Sequence, residues 1–160
     1  MTEIAVPSAA AEVRQWLGRF AEALAAGDSA AASELFLEDS FWRDLVAFTW
    51  NIKTLEGPAE IRAMLEHALG HVRPRRWRTT EEPAAADGVT EAWIAFETEV
   101  GRGRGLLRLR EGRAWTLLTT LHELKGHEEP RSERRPRLEV VDGFIERERV
   151  KTSLVWEQST

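Results

Sequence analysis

Asp44 is the only acidic residue in the run Phe41 to Ile52, FWRDLVAFTWNI, and its neighbours are mostly aromatic or β-branched. Desolvation makes a carboxylate more basic, which is the condition for abstracting a proton from carbon. The alternative is an ion pair with Arg43 or another arginine that serves support alone. Both readings stay open on the sequence. His67 and His71 stand four residues apart, a spacing that suits a metal on one helical face. No third ligand falls in register, so a solvated helix end is the better reading. His122 is an acid or base candidate if its side chain faces inward; His127 lies in a charged stretch and has no assigned role.

Two further strings invite chemistry. Arg73 to Arg78 is a basic run with Trp77 inside it, the pattern of an anion or nucleic-acid contact. The acidic balance of the chain, formal charge −5, favours a solvated strand end instead and argues against nucleic acid as a partner. GRGRG, Gly101 to Gly105, lacks a following helix and reads as a hairpin turn, not a phosphate cradle. With no cysteine, thiol nucleophiles, disulfides and thiolate metal sites are excluded; with no tyrosine, phenol chemistry is excluded too.

These residues must be held by recognisable elements. Val13, Trp16, Leu17, Phe20 and Leu24 recur at spacings of three and four, predicting a helix from Ser8 to Ala26 stopped by Gly27. Asp28 caps a second helix, Ser29 to Leu37, ended by Glu38 and Asp39. The apolar run then predicts a strand, a short second strand near Trp50 to Leu55, and a third helix opened by Gly57-Pro58 and closed by Gly70. Strands are expected at 75–82, 89–100, 106–110 and 114–124, with turns at 84–88, 101–105 and 111–112. Ala92, Ile94, Phe96, Thr98 and Val100 face the core on period two, and so do Trp115, Leu117, Thr119 and Leu121. From Gly126 the charged stretch GHEEPRSERRPR reads as an arm, followed by a hairpin of Leu138–Val141 and Phe144–Trp156 around Asp142-Gly143. The expected organisation is one domain, 1–125, and an extension, 126–160. MTEIAVPSAAAEV carries neither the basic start nor the apolar run of a leader, and no stretch reaches a membrane span, so a cytoplasmic location is expected without a membrane partner.

Three helices followed by a curved antiparallel sheet is the order of an α+β cone. In AALAAGDSAAASELFLEDSFWRDL and GPAEIRAML the chain resembles the first half of the nuclear transport factor 2-like, or SnoaL-like, superfamily. EDSFWRDLVAFTWNIKTLEG with WTLLTTLHELKGHEEPR more narrowly resembles the domain preceding the flavin and nicotinamide domains of some flavin-containing monooxygenase-like oxidoreductases. That resemblance makes an oxidoreductase a candidate partner, yet no cofactor domain follows here and no cofactor is expected. Alignment on the ketosteroid isomerases of this superfamily puts Asp44 at their proton-abstracting aspartate. Their tyrosine donor falls at Phe20 and their protonated aspartate near Gly105, so both oxyanion partners are lost. The superfamily's epoxide hydrolases need aspartates that 89–124 lacks, and scytalone dehydratase-like chemistry needs tyrosine.

Such a cone has an interior too wide for its helices to fill. Trp16, Phe20, Trp42, Phe48, Trp50, Phe96 and Trp115, with Leu117 and Thr119, are therefore expected to line a pocket for an apolar or aromatic small molecule. The reading is a binding domain; the alternative is an isomerase, dehydratase or cyclase using Asp44 with His122. The outer sheet face, with Trp93, Ala95, Leu118 and Thr120, is expected to form a homodimer.

Overall fold

The computed structural model describes residues 7–128; the arm beyond Glu128 and the expected hairpin around Asp142 lie outside the described residues. Helix α1 (Ala9–Ala25) starts where the Ser8 hydroxyl accepts the Ala11 amide at 3.2 Å, and it buries Val13, Trp16, Leu17, Phe20 and Leu24 on one face. Gly27, at φ +68°, turns the chain into the short helix α2 (Ser29–Ser33), capped by Asp28. Helix α3 (Gly57–Val72) carries Pro58 in its first turn and buries Ile61, Met64, Leu65, Ala68 and Val72.

The strands are β1 (Phe36–Leu45), β2 (Ile52–Glu56), β3 (Arg75–Thr79), β4 (Ala84–Ala86), β5 (Val89–Glu97), β6 (Gly101–Arg110) and β7 (Arg113–Leu124). They form one curved sheet in the order β2-β1-β7-β6-β5-β3, with β4 pairing β5 beside β3. All pairings are antiparallel except that of β1 with β7, which places the first strand against the last. The expected α+β cone of helices on a curved sheet is the fold observed. Among the described residues no helix is long and apolar enough to cross a membrane.

Several boundaries depart from expectation, each for a visible reason. The second helix ends at Ser33, not Leu37, and Glu38 and Asp39 belong to β1. Tertiary hydrogen bonds claim the backbone there: the Leu35 carbonyl accepts from the Ala114 amide at 2.8 Å and from the Trp16 indole at 2.9 Å. Helix α3 runs through Gly70 to Val72 and stops at Arg73, whose left-handed φ of 48° breaks it. Ala84–Ala86, expected as a turn, is a short strand.

GRGRG is a strand and not a hairpin. A Cβ at Gly103 would sit 2.2 Å from the Phe96 ring, which lies across the bare backbone of its cross-strand partner. The turn falls instead after Glu97, where the Thr98 hydroxyl accepts the Gly101 amide at 3.1 Å. Val100, expected inside, is consequently 42% exposed. On β7 the register against β6 skips Trp115 and His122, one extra residue each. The first skip moves Ala114 to the core and takes Trp115 out of it, where Arg110 lies 5.0 Å over its ring; Leu117 and Thr119 face inward as expected.

Candidate functional site: a braced loop beside a cavity

Alternation along β1 turns Phe36, Ser40, Trp42 and Asp44 to the interior and Arg43 to the outside. Asp44 is fully buried, and four donors converge on it. Oδ2 accepts the backbone amides of Phe48 at 3.0 Å and Thr49 at 2.8 Å, and the Thr49 hydroxyl at 2.8 Å. Oδ1 accepts the Thr119 hydroxyl at 2.7 Å, and that oxygen itself accepts the Trp42 indole Nε1–H at 2.8 Å. Thr49 Oγ1 also stands 3.0 Å from the Asn51 carbonyl, but its single proton serves the closer carboxylate. No arginine is among these partners, so the ion-pair alternative does not hold: the carboxylate is met by loop amides and hydroxyls.

The clamped segment, residues 46–51, is bracketed by Val46 at φ 71° and Trp50 at φ 56°. A β-branched residue in the left-handed region costs on the order of 1–3 kcal/mol and persists only where surrounding bonds over-determine it. The Asp44 carboxylate supplies those bonds, together with the Val46 amide, which donates to the Asn51 carbonyl at 2.9 Å. Asp44 thereby fixes where Phe48 and Thr49 stand.

Seven rings make a continuous cluster in the interior: Trp16, Phe20, Phe36, Trp42, Phe48, Trp77 and Phe96. Trp42 and Phe36 are stacked with planes 7° apart, and Trp77 stacks on Phe96 with centroids 4.4 Å apart. Five expected pocket aromatics, Trp16, Phe20, Trp42, Phe48 and Phe96, are therefore brought together, but as packed core: with Leu117 and Thr119 they are buried, and of them only Phe48 lines the cavity beside the cluster. Trp50, 55% exposed, and Trp115 are not part of the cluster. Phe36 and Trp77 complete the cluster in their place; Trp77 stands inside the basic run, where only the alternation of RRWRT signals an inward side chain.

Beside this cluster a cavity of about 490 Å³ opens between α3 and the β1–β2 segment. Phe48, Leu55, Met64 and Ala68 supply its apolar wall; Thr49, Asn51 and Lys53 supply polar groups. Its size and mixed lining fall in the range of small-molecule sites. The clamped loop is one of its walls, so Asp44 acts on it through Phe48 and Thr49.

Of the histidines only His67 borders this cavity, from α3, and none bonds to Asp44. His67 and His71 are exposed on α3 with ring centroids 6.0 Å apart, and among the described residues no cluster of metal-ligating side chains forms. His122 is exposed at its bulge. Burial of part of its ring, and then the Arg104 guanidinium, hold its pKa below the usual histidine value. It does not share a hydrogen bond with Asp44. In the basic run Arg75 pairs with Glu99 at 3.2 Å and Arg76 with Glu97 at 2.9 Å.

No protein-family model matches the sequence, and no curated protein matches it significantly. Solved structures share its fold. A domain of unknown function with a cystatin-like fold from Nostoc punctiforme has a TM-score of 0.61 at 17% identity, covering 96% of this chain and 99% of that one. A nuclear transport factor 2-like protein with a cystatin-like fold from Novosphingobium aromaticivorans has a TM-score of 0.50 at 18% identity, covering 69% and 79%. A protein of unknown function from Mycobacterium tuberculosis has a TM-score of 0.53 at 16% identity, covering 82% and 78%. At these identities the likeness is one of fold: this chain is similar to the nuclear transport factor 2-like cones.

Proposed function

We propose that this protein binds an apolar small molecule in the cavity between α3 and the β1–β2 segment and performs no isomerase chemistry of its own. The observation that carries the reading is the cavity itself, about 490 Å³, with an apolar wall of Phe48, Leu55, Met64 and Ala68 and a few polar groups to orient a ligand. The state of Asp44 supports binding over catalysis. All four of its bonds go to the protein's own loop and to Thr119, and the carboxylate is fully buried and not among the groups lining the cavity, so a ligand held there does not meet it as a base. Phe20 is a buried hydrocarbon ring and Gly105 offers no side chain, which leaves a developing oxyanion without the donors that this fold's isomerases use.

Titration with the neutral fluorophore N-phenyl-1-naphthylamine tests the reading. Its emission is expected to rise on binding, and Ala63→Phe, an exposed position lining the cavity, is expected to weaken binding at least tenfold. No binding, or binding indifferent to Ala63→Phe, overturns it.

Self-association belongs to the outer sheet face. Cross-strand register aligns Trp93, Leu106, Leu118 and Arg43 there, beside the exposed Phe41 and Ile52. Ala95 is only 6% exposed and contributes little. Light scattering at micromolar concentration should give twice the mass of 18.2 kDa, reduced to one chain by Trp93→Glu; a wild-type monomer refutes the dimer. The narrower kinship with domains of flavin-containing oxidoreductases rests on the two sequence strings and makes such an enzyme the candidate partner.

A further inference from the structure

On the other side of the aromatic cluster a second cavity, of about 430 Å³, lies between α1 and β3. Its apolar wall is Leu17, Trp77 and Pro83. Gly18 widens it, since a Cβ built there meets nothing within 4 Å. Two guanidinium groups border it, Arg14 from α1 and Arg78 from β3. Among the described residues neither makes an ion pair, so both are free to take a ligand's charge. Arg78 spends one N–H on the Arg76 carbonyl at 3.3 Å. Glu82, the one acid on the rim, bonds to neither, which leaves the site one positive charge in excess.

We propose that this second cavity is a binding site for an oxyanion carried on a flat aromatic body. Guanidinium presents a planar fork of donors that matches a carboxylate or phosphate in a bidentate pair, and this cavity is bordered by two of them, one from α1 and one from β3. The apolar body fits against Leu17 and the Trp77 indole, one face of which is already packed on Phe96, so the ring is rigid before a ligand arrives. The site is separate from the cavity at α3 and does not depend on it.

The experiment uses 2-naphthoate, 2-naphthyl phosphate and the neutral 2-naphthalenemethanol, with binding followed by the NMR signals of the Gly18 amide and the Trp77 indole N–H. Both signals are expected to move with an anionic probe and not with the alcohol at equal concentration. The double variant R14Q/R78Q, which removes both charges from exposed positions and should keep the wild-type far-ultraviolet circular dichroism, is expected to weaken anion binding at least tenfold. Tighter binding of the carboxylate or of the phosphate identifies the ligand's source. The proposal is overturned if neither anion moves the Gly18 signal, if the alcohol binds equally well, or if the double variant binds the anions as the wild type does.

Discussion

Replacing Asp44 by asparagine keeps the size of the side chain and removes one acceptor oxygen. Three of the four donors meet at Oδ2, so the asparagine carbonyl settles there and its amide faces Thr119. The Thr119 oxygen then receives two donors, the Trp42 indole and the new amide, and its own proton has no acceptor in a fully buried place. An orphaned buried hydroxyl costs about 1–3 kcal/mol, and the three bonds that remain weaken because their acceptor is no longer a carboxylate. A total of about 3 kcal/mol corresponds to a fall in melting temperature of about 6–12 °C for a chain of this size. Thermal unfolding followed by circular dichroism measures it. A melting temperature for Asp44→Asn within 2 °C of the wild type, or above it, refutes the brace. The second of these outcomes is what a carboxylate held ready for catalysis at the expense of stability would give.

Thr119→Val removes the other end of the same brace and leaves the Trp42 indole N–H without an acceptor. Combined with Asp44→Asn it should fall short of additivity by about 1 kcal/mol, because the two share one bond; full additivity in urea titrations refutes the shared network. Gly103→Ala drives a methyl group into the Phe96 ring and should cost about 1–3 kcal/mol, read as a lower urea midpoint; an unchanged midpoint means the ring does not lie there. Because the folded protein holds His122 below its ordinary pKa of 6.5, folding releases protons at that site. The contribution is absent above about 6.5 and becomes a growing penalty as pH falls through that value to the folded one. His122→Gln should therefore be as stable as wild type at pH 8 and more stable at pH 5; equal melting at both pH values refutes the shift.

The helices, six of the seven strands and most of the aromatic core are legible because they rest on periodicity, which adjacent residues express locally. Phe36 and Leu35 continue a helical stripe in sequence, but bonds from Trp16 and Ala114 draw that backbone into a strand, and no local pattern carries such a contact. Alternation points Trp115 inward, and alternation fails at a bulge, which changes parity by one residue. The glycines of β6 suggest a turn because glycine most often serves turns; their role here, close approach of neighbouring strands and, at Gly103, room for the Phe96 ring, depends on residues distant in sequence. Asp44 was found by its isolation among apolar residues, whereas its partners follow from a loop geometry that only left-handed Val46 and Trp50 make possible.

The parallel pairing of β1 with β7 has a consequence for how the chain is made. The bond from Thr119 to Asp44 joins residues 75 apart, and β1 keeps an unpaired edge until the last strand arrives. Contacts of such long sequence separation form late and slow folding. During synthesis Asp44 has only its local bonds to Phe48 and Thr49 while residues 52–119 are added, and the brace behind the cavity wall is completed only when β7 closes beside β1. Interruption of synthesis before Thr119 yields a chain with all three helices encoded and the sheet's first strand still open to another molecule's edge.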